Sequence, residues 1–546
     1  MNPESFQEFS NTLERVSETG SKLEKIRILS EYFSKLSPSS LSSACRFILG
    51  KESAKGDVGV GWSTIIKALR ELRGVDAEEF RRLYLELGDS GSVIERMYSG
   101  RGRPSLLESV PPSLEDVQFT FDKMAEVTGA RSSEAKKKLL MGLYARMDGR
   151  QAKYLTRILS GEVRIGATEG LVLDALGKAF GNKNVRDWYL IVGDIGEVAR
   201  KLASGDRSNP IPLYFRPVAF MLALPIQTPK DVEEHFHDRF YAEYKYDGVR
   251  LQAHVVKSEV RLFSRRMEDV TRSMPELVSS LKMLSKDAIL DGEALGFKEG
   301  KPMSFMQLQR RLHRKEPDKK LIDDVPIHYF VFDLLKLGEE SMLDVKLFDR
   351  RKMLDELEFF DNVRRASSWI VDSADDVDRL FRRSRQEGYE GLVLKDPHSP
   401  YTPGRRGGAW VKLKEELDTL DVVVIKAEYG NGKRAGVLSD LTFAVWDNGE
   451  LKTIGKAYSG LTDEEIASMT ETLKNISVAE TWNGVIVRPS IVIEVAFDSV
   501  QRSSRHDSGY ALRFPRIKRI REDKKPEDAD TLERVRSIYE AQLVRR

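Results

Sequence analysis

Over the first two hundred residues, apolar positions recur at spacings of three and four. Phe6, Phe9, Leu13 and Val16 form one stripe. After the interruption at Gly20, Leu23, Ile26, Leu29 and Phe33 begin a second. That period puts each set on one face of a helix. Proline is sparse within these segments, so the chain to about Leu202 is predicted to be all-α. The pattern stops at Ser204-Gly205-Asp206-Arg207-Ser208-Asn209-Pro210, where turn formers and charge coincide, with Pro212 and Pro217 close behind. A first domain is therefore assigned to 1–212.

Beyond Pro217 the period shortens. β-rich runs occupy 251–256, 260–263, 289–297, 328–334, 391–395 and 410–413, with helical segments such as 377–386 between some of them. Lys257-Ser258-Glu259 is short enough to join the first two runs as a hairpin. This texture predicts an α+β domain with mainly antiparallel sheets over 213–415. Glu415-Glu416-Leu417-Asp418 is polar and predicts a hinge. After it come strand-like runs at 422–425, 441–446, 451–454 and 491–495, with Asp447-Asn448-Gly449-Glu450 as a hairpin turn. Several short strands in the remaining stretch, 416–546, suit a small β-barrel of the oligonucleotide-binding type.

Composition narrows the class. With 546 residues the chain has room for three or four domains, and 40% hydrophobic residues is ordinary for a globular protein. There is no apolar run of about 18 residues, so no membrane span is expected. The opening residues lack a basic-then-apolar leader pattern. The single cysteine, Cys45, excludes an intrachain disulfide and a cysteine-rich zinc site, and a reducing cytoplasm is the expected compartment. Net charge is only +2, but nine Arg or Lys against three acids lie between Gln501 and Lys525. That local surplus suits a polyanion and equally suits a solvated face.

The candidate chemistry lies in the second domain. Glu243-Tyr244-Lys245-Tyr246-Asp247-Gly248-Val249-Arg250 puts a lysine at a strand end beside an Asp-Gly turn. Alone, this could be a surface turn. Further along, Ser264-Arg265-Arg266 ends a strand and Asp291-Gly292-Glu293 interrupts an apolar one. Glu390-Gly391-Leu392-Val393-Leu394-Lys395 flanks another with charge, and Trp410-Val411-Lys412-Leu413-Lys414 projects two lysines from one strand face. Buried charges need partners. Such a set either forms internal salt bridges or converges on an anionic ligand.

In this order the segments resemble the motifs of the covalent nucleotidyltransferases: Lys-Tyr-Asp-Gly-Val-Arg, Ser-Arg-Arg, Asp-Gly-Glu, Tyr-Phe-Val-Phe-Asp, Glu-Gly-Leu-Val-Leu-Lys and Val-Lys-Leu-Lys. Ala511-Leu512-Arg513-Phe514-Pro515-Arg516-Ile517 resembles the last motif of ATP-dependent DNA ligases of the archaeal and eukaryotic type. Gly61-Trp62-Ser63 and the segment 157–166 resemble the DNA-binding domain of those enzymes. Phe220-Met221-Leu222-Ala223 is similar to the entry to their adenylation domain, and 430–436 to an element of their oligonucleotide-binding domain. The resemblance implies a helical DNA-binding domain, an adenylation domain and an oligonucleotide-binding domain.

It also implies roles. Lys245 would carry AMP as a phosphoramide. Glu243 would read the adenine edge and Phe332 would stack on the base. Arg250 and Arg265 would lie by the sugar and phosphates, and Arg406, Lys412 and Lys414, joined by Lys395, would surround the phosphates. Glu293 would meet the ribose and, with Glu390, hold Mg²⁺ or Mn²⁺. Arg513 and Arg516 would orient the pyrophosphate leaving group. Arg157, Gly161, Arg164 and Gly166 are the candidate DNA contacts in the helical domain. The implied function is ATP-dependent sealing of nicks in duplex DNA, in replication, repair and recombination, by a monomer.

Those residue types suit that chemistry. A lysine attacks phosphorus only as the neutral amine, so desolvation and neighbouring cations such as Lys412, Lys414 and Arg250 would serve it. Charge gathering on phosphate oxygens calls for basic groups and a hard cation on carboxylates. Pyrophosphate and DNA would use the same space in different steps, which predicts rotation of the third domain about 415–421. An RNA ligase or capping enzyme would share the chemistry, but the helical first domain and Arg-Phe-Pro-Arg argue against it. A protein that only holds nicked DNA would not need Lys245 beside Glu293 and Glu390. Docking to a sliding clamp stays open, since 101–109 lacks the aromatics such a peptide carries.

Overall fold

The computed structural model describes residues 2–53, 58–99, 110–129, 132–312, 314, 316–414, 419–430, 434 and 436–544. The hinge candidates 415–418, the clamp candidate 101–109, and 431–433 and 435 of the 430–436 element lie outside them.

Helices run from Phe6–Ser17 to Ile195–Ala203 without an intervening named strand among the described residues. Ser5 and Ser21 cap the first two, accepting from the backbone N–H groups of Glu8 and Glu24. The first stripe is buried as expected, with Phe6, Phe9, Leu13 and Val16 all at 0% exposure. The second is rotated. Leu23 stands 78% exposed, and the buried face of Lys22–Phe33 is Lys25, Ile28, Leu29, Tyr32 and Phe33. Leu23 lies in the first turn, beyond the reach of the core. Lys25 is buried because its ammonium donates to the Ile165 carbonyl at 2.6 Å.

The central region holds two sheets. One has five strands, in the order Leu222–Ile226, Arg406–Lys414, Gly391–Lys395, Phe240–Lys245, Ser368–Val371. The other runs Glu259–Ser264, Val249–Val256, Ala288–Lys298, Ile327–Leu337, Glu340–Ser341, with two short strands alongside. Pairing is antiparallel except where Leu222–Ile226 joins Arg406–Lys414 and where Ile327–Leu337 joins Val363–Arg365. Lys257 and Ser258 turn the expected hairpin with positive φ.

The C-terminal region is strand-rich around one apolar core. Its long strand Thr419–Tyr429 pairs with Leu438–Asp447 on one side. On the other it pairs first with Val492–Ala496 and then with Gly484–Val487. The helices Asp463–Asn475 and Leu532–Val544 pack against this sheet, the first carrying a Thr462/Glu465 capping box.

Candidate active site

The five-stranded sheet sorts its residues by period two. Ala242, Tyr244, Leu392, Leu394, Val411 and Leu413 face the apolar core. The intervening positions face the other way and line up in rows across the strands. Lys245 pairs with Gly391, which pairs with Lys414; Glu243 with Val393, then Lys412; Tyr241 with Lys395, then Trp410. Alternation and register therefore assemble a charged face from residues up to 173 positions apart, Tyr241 to Lys414.

Two glycines let this face close. Gly391 has φ +151°, and a Cβ there would lie 2.2 Å from the Leu413 carbonyl oxygen. A Cβ at Gly248 would lie 2.3 Å from the Ala294 oxygen, so only glycine lets the turn after Lys245 press against the strand that carries Glu293.

The result is a cavity of about 360 Å³ between the sheets. Among its lining residues are Glu243, Lys245, Arg250, Arg265, Glu293, Phe332, Lys395, Arg406 and Lys412. At one end Lys245 donates to Glu390, and Lys414 lies 3.8 Å from the same carboxylate. Burial alone would raise the Glu390 carboxyl, but the charge and hydrogen bond of Lys245, with Lys414 and Lys412, hold it below the usual range. Burial, reinforced by the charges of Lys245, Lys414 and Arg406, lowers the Lys412 ammonium. Glu293 goes the other way. Burial, helped by the Asp291 and Glu390 charges and opposed by Lys245 and Arg250, pushes it up to about 8.

Arg250 is held in place by Asp291, through Nε at 3.1 Å and Nη2 at 2.7 Å, while Nη1 donates to the Met221 carbonyl. Tyr401 also donates to Asp291 at 2.7 Å. Arg265 and Arg406 are exposed at the cavity wall.

The far end is drier. Glu243 is buried, with Arg351 on one carboxylate oxygen and the Lys395 ammonium 2.7 Å from the other. Lys395 sits 4.4 Å from the centre of the Phe332 ring and 4.2 Å from that of Trp410. The sequence reading put Lys395 among the phosphate-binding cations. Strand alternation instead places it two positions beyond Val393, on the row of Tyr241 and Trp410, and it is neutralised by Glu243. Burial lowers its ammonium, against the pull of Glu243 and Asp333.

Arg513 and Arg516 come from the C-terminal region. The Arg513 guanidinium lies 4.5 Å above the ring of Phe305, itself a cavity-lining residue. Asp498 links Arg516 and Lys414, at 3.5 Å from each. Phe305, Arg351 and Asp498 escaped the sequence reading: none lies in a recognisable motif, and each acts by contact across elements.

In the helical region, Arg157 is 8% exposed, pairs with Asp89 at 2.6 Å and also donates to the Val163 carbonyl. It braces the loop, and its guanidinium is turned inward. Arg164 is solvent-facing, with φ +57°, and pairs with Glu162.

Glu293 and Glu390 are the carboxylates available to a cation here. Among the described residues no group of three or more His, Cys, Asp or Glu could form an all-protein metal cage. Two carboxylates beside a cavity lined by Lys245, Arg406 and Lys412 suit a hard divalent ion that keeps several waters. No described helix is long and apolar enough to cross a membrane.

Comparison with known proteins agrees along the chain. The family described as DNA ligase N terminus matches residues 5–177, the ATP dependent DNA ligase domain matches 220–414, and the ATP dependent DNA ligase C terminal region matches 434–524. A "Probable DNA ligase" of Koribacter versatilis is 39% identical over 566 residues, spanning 98% of this chain and 97% of its own. A "DNA ligase" of Archaeoglobus fulgidus is 35% identical over 554 residues, spanning 98% and 99%. The solved structure Pmar-Lig_Pre. shares the fold, with a TM-score of 0.52 over 94% of this chain and 99% of its own at 17% identity. From its N-terminal helices to its last strands, this chain belongs to the ATP-dependent DNA ligase family.

Proposed function

We propose that the protein seals nicks in duplex DNA through an AMP carried on Lys245. The observation that carries this reading is a lysine at a strand end that shares one cavity with Glu293 and Lys412 and is paired to Glu390. In the first step the neutral Lys245 Nζ attacks the α-phosphorus of ATP. An N–P bond forms, the bond to the bridging oxygen breaks, pyrophosphate leaves, and the amine gives up its surplus proton. Glu390, already paired to Lys245, is placed to help shed that proton. Lys412, Lys414 and Arg406 offset charge on the phosphate oxygens, and Arg513 and Arg516 meet pyrophosphate from the C-terminal side. A divalent cation, Mg²⁺ or Mn²⁺, held by Glu293 and Glu390 would supply further charge neutralisation when bound.

AMP then passes to the 5′-phosphate at the nick, and the 3′-hydroxyl displaces it to close the phosphodiester. Residues 1–212 would hold the duplex, 213–415 carry the nucleotide, and 416–546 alternate between pyrophosphate and DNA. A single chain suffices for all three steps. Most of the affinity would come from DNA phosphates and would fall as salt rises. Arg164 is a better candidate for such a contact than the inward-turned Arg157.

The test is intact mass after incubation with ATP and Mg²⁺. One added AMP, absent in Lys245→Ala and discharged by nicked duplex, supports the reading. An unmodified wild-type chain, or an adduct that survives Lys245→Ala, overturns it.

A further inference from the structure

We propose that Arg351 is a positioning residue which, with Lys395, fixes Glu243 as an acceptor for the 6-amino group of adenine and so sets the preference for ATP over 6-oxo purine nucleotides. This rests on the proposed adenylation at Lys245.

Arg351 lies outside the cavity wall, so it acts through another side chain. It sits on the helix Leu347–Asp355, next to Arg350. Arg350 is fully buried and grips Asp333 on the Ile327–Leu337 strand with Nε at 2.7 Å and Nη2 at 2.8 Å. It also donates to the carbonyls of Val345 and Ser399. The helix is thus pinned to the strand that carries Phe332. From that fixed base the Arg351 guanidinium lies 5.0 Å from the centre of the Tyr241 ring and donates to Glu243 Oε1. Lys395 approaches Oε2 from the opposite strand.

An ionised carboxylate only accepts hydrogen bonds, and each of its oxygens has room for two. With one cation on each oxygen, Glu243 cannot swing to follow either. It keeps acceptor capacity toward the cavity that it lines with Phe332 and Lys395. An exocyclic N–H satisfies that capacity. A 6-oxo group would set oxygen against carboxylate with no proton between them, the kind of mismatch that gives polar sites high discrimination. Without Arg351, Lys395 would hold Glu243 by one oxygen alone, leaving the other free to rotate.

The experiment measures single-turnover lysyl-nucleotide formation by wild type, Arg351→Met, Arg351→Lys and Glu243→Gln. The nucleotides are ATP, GTP and purine riboside triphosphate, which lacks a 6-substituent. For Arg351→Met the KM for ATP should rise about tenfold, the order expected for one hydrogen bond to a charged group, while the maximal rate stays within about threefold. The advantage of ATP over purine riboside triphosphate should shrink by a similar factor and GTP should gain relative to ATP. Arg351→Lys should recover part of the loss, and it keeps the test alive if the methionine variant does not fold. Equal loss with ATP and purine riboside triphosphate, or an unchanged KM, overturns the proposal. A changed preference in Glu243→Gln but not in Arg351→Met removes only the clamp. An unchanged preference in Glu243→Gln removes the adenine reading itself, and absence of any adduct removes the proposed function.

Discussion

The two ends of the cavity between the sheets contain similar pairs built to opposite ends. At one, Glu243 and Lys395 are 3% and 2% exposed, and Arg350 with Asp333 close by is fully buried. At the other, Lys245 and Glu390 keep 21% and 31% of their side-chain surface. A dry ion pair that loses one member strands a charge, so it stays as the fold made it. A partly exposed pair can part at lower cost than a dry one because water takes up some of the freed charge. One end is therefore suited to hold a ligand still, and the other to let a lysine change partners and protonation state during a reaction.

Four measurements break or sharpen that contrast. The largest effect is expected at the wetter end: Lys245→Arg keeps the charge but removes the proposed nucleophile, and should lower adduct formation by at least roughly a thousandfold. Its thermal stability should match wild type, as read by calorimetry. At the dry end the loss should fall on the fold. Asp333→Asn leaves Arg350 unpaired and should cost about 3–5 kcal/mol in denaturant unfolding. A variant of normal stability would show that this pair is not holding the helix.

A pH experiment reports on Glu293. Its folded pKa, about 8, lies above the ordinary 4.5. Between those values the folded protein retains a proton that the unfolded chain has lost, so this group makes stability fall as pH rises and levels off above about 8. Glu293→Gln should remove that component of the slope, seen as the wild-type minus variant difference in unfolding free energy. The smallest effect is expected at Asp498, whose links to Lys414 and Arg516 are partly exposed. Asp498→Asn should change the adenylation rate by only a few-fold, shrinking further in high salt, as exposed pairs worth about 0.2–1 kcal/mol allow. A hundredfold change would mean that the pair does more than hold the C-terminal region nearby.

Much of this was legible along the chain because local periods survive folding. Phe6, Phe9, Leu13 and Val16 are buried on one face as their spacing demands, and Lys412 and Lys414 share a strand face as period two requires. Leu23 was misread because a helical stripe shows only that a face is apolar, and the neighbouring elements choose which part of it is covered. The motif around Arg157 is visible in the chain, but the pairing with Asp89 that turns it inward comes from a residue 68 positions away. The motif order groups Lys395 with the phosphate-binding cations, whereas the fold pairs it with Glu243, since motif order says nothing of which row a residue occupies.

The helical and strand-rich regions, the lysine at a strand end and the charged segments around it were readable from the chain alone, since periodicity and local motifs are properties of near neighbours. The tertiary structure alone decided which charges are dry and which are wet, that Arg351 stands behind Glu243, and that Asp498 joins two regions. Those depend on strand register and on helices packed across the sheet. Solvent exposure, which sets the worth of every charge here, exists only once distant segments have covered one another.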